Sequence, residues 1–345
     1  MLYVTTRNER DAFTSARALR EDRGPDGGFY VPVRMPSFSD EQIREMGELT
    51  FGQCVSRVLN QLFPVDLTGW DIALYAGREP VRVAPVGHKV VVAELWHNAR
   101  WDFSEVVKAL TALLHPGGNN DLTVGHWARI AVRSACLFGI YGRMLRDGML
   151  QDGQRMDVAV VSGDFSGPMA CRYARDMGLP IGSILCCCNE NKVPWDLLYQ
   201  GSIKCGTVAV ETGLPEADIA VPAQLERLLY ACGGAGEAIK FADCLRRGRN
   251  YYPEEELLQR IKDGLYVSVI GNDRLWSTIP NVYRAHGYVL GPLSALAYAG
   301  TMDHRAKTGE NRHCVILSDK GALCDEDAVA RSMGMDAARL RRILE

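Results

Sequence analysis

The stretch MDVAVVSGDFSGPMACRYARDMGLPIGSILCCC (156–188) decides the fold class. Its first six residues are an apolar, β-branched run that reads as a strand. A short glycine-bearing loop, SGDFSG, follows. A segment with Pro168 in its first turn and a glycine stop at 178 then reads as a helix. The next apolar run, LPIGSILCCC, reads as a second strand. A strand, loop, helix and strand in this order imply a parallel pair with a right-handed crossover, and therefore an α/β fold.

The loop inside this unit carries the strongest chemical signal. Free amide groups at the start of the helix, with the hydroxyls of Ser162 and Ser166, form a natural anion cradle at the positive end of the helix dipole. Ser162, Gly163, Asp164, Phe165, Ser166 and Gly167 are the candidate phosphate-binding residues. The pattern is neither G-x-G-x-x-G nor a P-loop, and Asp164 puts a negative charge where a phosphate would sit. A tight strand-to-helix turn with no ligand is the alternative, and pattern alone leaves both open.

Outward from this unit, TSARALREDRG reads as a helix stopped at Gly24, and DGGFYVP as a turn into an extended piece ending at Pro32. SDEQIREMGEL opens with Ser39 and Gln42 in the capping-box arrangement, and FGQCVSRVLNQLF has helical spacing. VRVAPVGHKVVVAEL reads as two strands. Asp102 and Glu105 fit a second capping box, opening a helix with Val106, Val107, Leu110, Leu113 and Leu114 on one face. HPGGNND (115–121) breaks that helix, and a long amphipathic segment follows. PAQLERLLYAC and PEEELLQRIKDG read as helices, the second with Glu254, Glu255 and Glu256 in its first turn. YVLGPLSALAYAGTM and HCVILSDKGAL add two strands with a helix between them. The C-terminus is helical.

Composition narrows the function classes. The chain has 345 residues, a net charge of −3 and a pI of about 6.2, with no basic run, so nucleic-acid or membrane-surface binding has no electrostatic support. The polar N-terminus resembles no signal peptide, and no apolar run suits a membrane helix, so a cytoplasmic protein is expected. Eleven cysteines occur without a C-x-x-C pair, and no metal site is expected. Most lie among apolar neighbours and read as reduced, packed thiols, with a reactive cluster at Cys186, Cys187 and Cys188 as the alternative. His115 and His126 lack ligand spacing. Trp96 and Trp101 read as packing over a strand end rather than as a ligand platform.

Together these segments resemble the threonine synthase family, pyridoxal-phosphate (PLP) lyases of fold type II. TSARALREDRGPDGGFYVP is similar to the family's opening, and ELWHNARWDFSEV to its E-L-F-H-G-P-T-x-x-F-K-D segment. VVSGDFSGPMACRYARDMGLPI resembles its phosphate-binding loop, usually S-G-N-F-G-[ND]. CNENKVPWDLLYQGSI, EADIAVPAQLERLLY and HGYVLGPLSALAYAG match three further segments in order. The resemblance implies a parallel-sheet large domain of the tryptophan-synthase-β type. It also implies PLP and a reaction that forms threonine and phosphate from O-phosphohomoserine, within amino-acid biosynthesis.

Laid on residue by residue, the resemblance also implies losses. His97 and Phe103 keep family positions, but Ser104 falls where the family has its Schiff-base lysine. A hydroxyl cannot replace that amine. Lys108, one helical turn on, does not face the loop. Asn189 and Asn191 keep the asparagine segment, and Ser318 matches the hydroxyl that meets the pyridine nitrogen. Asp164 and Ser166 replace Asn and Gly in the loop, and Gly291 stands where an acid is usual. A block of about a hundred residues, the size of a small domain, is reduced to the segment at about 104–121. The expected organisation is therefore a threonine-synthase-like N-terminal domain (1–93) and a large α/β domain (94–345) with the small domain largely deleted.

The expected function is that of a pseudoenzyme: no catalytic residue, no cofactor, and at most a site for phosphate or a small phosphorylated ligand. Two alternatives stand beside it. One is an active PLP-dependent threonine synthase with an unconventional lysine. The other is a structural or regulatory subunit, in a homodimer or with a partner protein covering the face the missing domain leaves.

Overall fold

The computed structural model describes residues 1–77, 80–96, 103–116, 122–123 and 125–345, with 103–106 given by backbone alone. The expected capping box at Asp102, the turn at 117–120, His97, Trp101 and the side chains of Phe103 and Ser104 lie outside the described residues.

The chain opens with strands β1 (Leu2–Thr5) and β2 (Asn8–Thr14), then helix α1 (Ser15–Arg20) and strand β3 (Tyr30–Pro32). These strands form a small antiparallel sheet in the order β2-β1-β3. The first two correct the sequence reading, which puts only helical pieces and turns before residue 27. NERDAFT is polar at every position but Ala12 and Phe13, and only Phe13 is buried, so alternation gives no signal there. The first helix also stops at Arg20, short of Gly24, and is capped by the Thr14 side chain accepting from the Arg17 amide.

Helix α2 (Asp40–Glu45) has the capping box read from Ser39 and Gln42, with both hydrogen bonds present. Helices α3 (Phe51–Leu62) and α4 (Gly69–Ala76) each start on a threonine that makes the same reciprocal contact, Thr50 with Gln53 and Thr68 with Asp71. Strands β4 (Arg82–Gly87) and β5 (Val90–Glu94) pair as a hairpin. Helix α5 (Phe103–Leu114) buries Val107, Leu110 and Leu114. Helix α6 (Trp127–Arg146) is buried on almost every side, starting on the His126 cap.

The deciding unit is as read: β6 (Met156–Val161), α7 (Ser166–Asp176) and β7 (Ile181–Cys188), the strands parallel. The helix starts two residues before Pro168, because Phe165 adopts left-handed backbone (φ 75°) and turns the chain early. After β7 come α8 (Val193–Trp195) with one π-turn, then α9 (Leu225–Arg246), which is broken at Gly234 (φ 77°, ψ −175°). Next are α10 (Glu255–Lys262), β8 (Leu265–Val269), α11 (Asn272–His286), α12 (Pro292–Thr308), β9 (His313–Ser318), α13 (Glu326–Ser332) and α14 (Ala337–Leu344). The pattern reading assigns neither β8 nor α11. It also makes Tyr288–Leu290 a strand, whereas these residues are a mostly buried approach to α12, with Gly291 as N-cap and Pro292 in the first turn.

The main sheet runs β4-β5-β9-β6-β7-β8, parallel throughout except for the β4–β5 hairpin. Alternate residues feed two apolar cores. Val158, Val160, Cys186 and Cys188 join the core under α6 and α7; Ala159, Cys187, Cys314 and Ile316 join the one under α11 and α12. Among the described residues no helix is long and apolar enough to cross a membrane.

Candidate functional site

Four parallel strands, β5, β9, β6 and β7, end side by side, with Glu94 in register with Ser318 and Val161 with Cys187. Their carboxyl ends carry the candidate residues, as the crevice rule for open α/β sheets requires.

At the end of β9, Ser318 is 2% exposed. Its hydroxyl accepts from the Trp96 indole Nε1 at 2.9 Å and from Ser294 Oγ at 2.8 Å, and donates to the Lys320 carbonyl at 3.1 Å. One proton and two lone pairs are the full capacity of a hydroxyl. Ser318 is saturated from within the chain. The Trp96 ring lies flat enough on Gly321 that a Cβ there would stand 3.1 Å from three ring atoms. Trp96 therefore packs over the strand end as expected.

At the end of β6, the loop 162–167 is tied back to the fold. The Ser162 amide donates to Cys187 O at 2.8 Å and the Phe165 amide to Ser162 O at 2.7 Å. Gly163 has φ +45°, and a Cβ on it would stand 3.0 Å from Glu216 O, so glycine is required twice over. Phe165, 1% exposed, pins the left-handed turn by burying its ring. The Ser166 amide, the first of helix α7, donates to Asp164 Oδ1 at 3.0 Å. The carboxylate read from sequence as an intruder in the anion cradle is bonded to that cradle.

At the end of β7, Asn189 and Asn191 serve a long connection rather than the crevice. Asn189 donates to Thr212 Oγ1 (2.8 Å) and Asp218 Oδ1 (2.7 Å); Asn191 exchanges two hydrogen bonds with the Val210 backbone (2.8 and 2.7 Å). Burial works against the Asp218 charge, but hydrogen bonds from Thr212 and Asn189 outweigh it and hold its carboxyl below the usual range. This network clamps residues 210–218 beside the loop.

Between these ends lies a cavity of about 400 Å³. Ser162, Gly163, Asp164, Ser166 and Gly167 form one side, and Arg129 and Arg133 of α6 another. Pro215, Glu216 and Ile219 close it with Leu293, Asp319 and Lys320. Arg133 Nη2 meets Asp319 Oδ2 at 2.5 Å, and Lys320 pairs with Glu216, which raises the lysine pKa. Three cationic and three carboxylate side chains line the space. The sequence reading missed both arginines, Glu216, Asp319 and Lys320. The signal was present in WARIAVRSACLF, the first twelve residues of α6, where Arg129 and Arg133 are the only charges and fall one turn apart.

Most of the cysteines are packed thiols, with Cys324 exposed. Eight are buried, and burial pushes Cys54, Cys136 and Cys171 up to about 12 and Cys186 and Cys187 further. A thiol held protonated is a poor nucleophile, and all three of Cys186, Cys187 and Cys188 are buried, which argues against a reactive cluster there. Among the described residues no group of His, Cys, Asp and Glu is arranged to hold a metal ion.

Residues 2–73 match the family described as threonine synthase N terminus. Threonine synthase-like 1 of Macaca fascicularis is 23% identical over 175 residues, covering 50% of this chain and 24% of that protein. Threonine synthase-like 2 of Rattus norvegicus is 19% identical over 397 residues, 86% of this chain and 82% of that one. The crystal structure of PLP-bound threonine synthase from Brucella melitensis superposes with a TM-score of 0.86 at 20% identity, covering 97% of this chain and 92% of that chain. The chain is similar to threonine synthases, in sequence over its N-terminal residues 2–73 and in fold over almost its whole length. Its fold is that of the threonine synthase structures from Brucella melitensis and yeast. The matched region spans about a quarter of the length of the first curated relatives. The threonine-synthase-like architecture explains why the candidate residues gather at four strand ends although they lie up to 222 positions apart in sequence, the separation of Trp96 and Ser318.

Proposed function

We propose that this threonine-synthase-like chain does not catalyse a PLP-dependent lyase reaction and keeps the crevice only as a small-ligand site. The observation that carries the reading is the saturation of Ser318 by Trp96, Ser294 and the Lys320 carbonyl. The resemblance gives this hydroxyl to the cofactor's ring nitrogen, and it has no hydrogen-bonding capacity left to offer. Asp164 adds a carboxylate where the cofactor's phosphate would sit, and Ser104 stands at the lysine position. The residues present do not fit PLP, and no step through it is derived.

The shortened segment at about 104–121 belongs to the same reading. The match to the rat protein runs over 397 aligned positions, while 86% of this chain is about 297 residues. About 100 aligned positions thus have no residue here, which agrees in size with a lost block at about 104–121 of the large α/β domain (94–345), after the N-terminal domain (1–93). A second reading, a structural or regulatory subunit, draws on helix α4. Trp70 and Leu74, one turn apart, are 73% and 77% exposed there, and α4 packs against α5 of the shortened segment.

The deciding experiment mixes the protein with PLP, traps with borohydride and weighs the product. The expected outcome is no site-specific pyridoxyl adduct and no phosphate from O-phosphohomoserine. A single adduct on one lysine together with phosphate release would falsify the reading.

A further inference from the structure

Asp164 gives the cavity a selectivity that the loop pattern does not announce. Its Oδ1 accepts the first amide of α7 at 3.0 Å. Its other oxygen is turned toward Gly125, where a Cβ would stand 3.5 Å from it. Its backbone carbonyl accepts from the Gln224 amide at 3.0 Å, which fixes the residue from a third element. The rest of the lining holds three cations against two carboxylates, with Arg133 facing Asp319 and Lys320 facing Glu216, and Asp164 brings the count to neutral. A phosphate entering here meets a neutral lining and a carboxylate already at the helix end.

We propose that Asp164 is a specificity-determining residue: its carboxylate is the resident anion of this cavity and excludes phosphate and phosphate monoesters. This rests on the proposal that the crevice is a small-ligand site and names what that site refuses. Like charges a few ångströms apart in a half-enclosed space repel far more strongly than in water. Asparagine at 164 keeps a side-chain oxygen for the Ser166 amide and removes only the charge. The loop geometry therefore survives the exchange, and the arginines and Lys320 are left with one positive charge in excess.

The test is calorimetric titration of the full chain with inorganic phosphate at low ionic strength. It compares the unaltered protein with Asp164→Asn and with Glu41→Gln, which makes the same net-charge change on the exposed face of α2. Asp164→Asn is expected to bind phosphate at least about tenfold more tightly than the unaltered chain, and Glu41→Gln to match the unaltered chain. Circular dichroism checks that both variants fold. Equal affinity in the unaltered chain and Asp164→Asn overturns the proposal. So does absence of binding in both, or an equal gain in Glu41→Gln. A PLP adduct in the unaltered chain would remove the pseudoenzyme reading without altering this comparison, so the two failures are distinguishable.

Discussion

His126 shows how one side chain carries a cost that helix formation hides. It is 1% exposed, and its Nδ1 accepts from the Ala128 amide at 3.1 Å as the N-cap of α6. Among the described residues its Nε2 has no hydrogen-bond partner. Burial, helped by Arg227 and Arg129 and opposed by Asp22, lowers its pKa from 6.5 to about 4. A depressed pKa means that the unfolded chain takes up a proton first, so the contribution is complete above pH 6.5 and is lost as pH falls toward 4. The loss is on the order of 2–3 kcal/mol. His126→Asn keeps a capping oxygen and removes the titration. Urea midpoints at pH 7 and pH 4.5 should therefore differ less in this variant than in the unaltered chain. Identical acid sensitivity would place the proton elsewhere.

At the scale of elements, helix α6 shows how closely the N-terminal helices are fitted to the large sheet. A Cβ at Gly142 would lie 2.4 Å from Met46 O and 3.2 Å from Cys54 Sγ, two groups already joined by the Cys54 thiol donating to that carbonyl at 3.4 Å. Alanine would gain about 1 kcal/mol in helix propensity. Displacing a backbone carbonyl in a packed contact costs about 1–3 kcal/mol, so the clash prevails. Gly142→Ala is expected to lower the thermal midpoint, and an unchanged or raised midpoint would mean that α2 yields freely. Much of this layer was legible in sequence: the Ser39–Gln42 capping box, the strands β4 and β5 and the β6–α7–β7 unit all follow local rules. What was not legible depended on tertiary contact. NERDAFT forms β2 by pairing with β1, without an alternating face of its own. Tyr288–Leu290 looks like a strand because it is apolar and mostly buried, though it lies outside the sheet. The site divides the same way. The loop and its Asp164 could be read from residues in a row, whereas Trp96 reaching Ser318 and Glu216 reaching Lys320 needed the fold.

For the molecule as a whole, the question is whether the proposed loss of lyase chemistry is one substitution deep. Ser104→Lys would supply the missing amine, and if that were the sole deficit the variant would take up PLP. The other requirements lie on different elements: the carboxylate of Asp164 at the start of α7, the saturated hydroxyl of Ser318 at the end of β9, and the shortened stretch beside α5. In the proposed reading each would bear on a different part of the cofactor, so restoring one leaves the others in force, and cofactor sites depend on all their supporting contacts together. The expected outcome is that Ser104→Lys, incubated with PLP and reduced with borohydride, carries no stoichiometric pyridoxyl group at position 104 by peptide mass. Stoichiometric labelling there would mean that the Trp96 contact with Ser318 yields readily and that the crevice keeps its cofactor shape. In that case the serine alone separates this chain from a PLP-binding one.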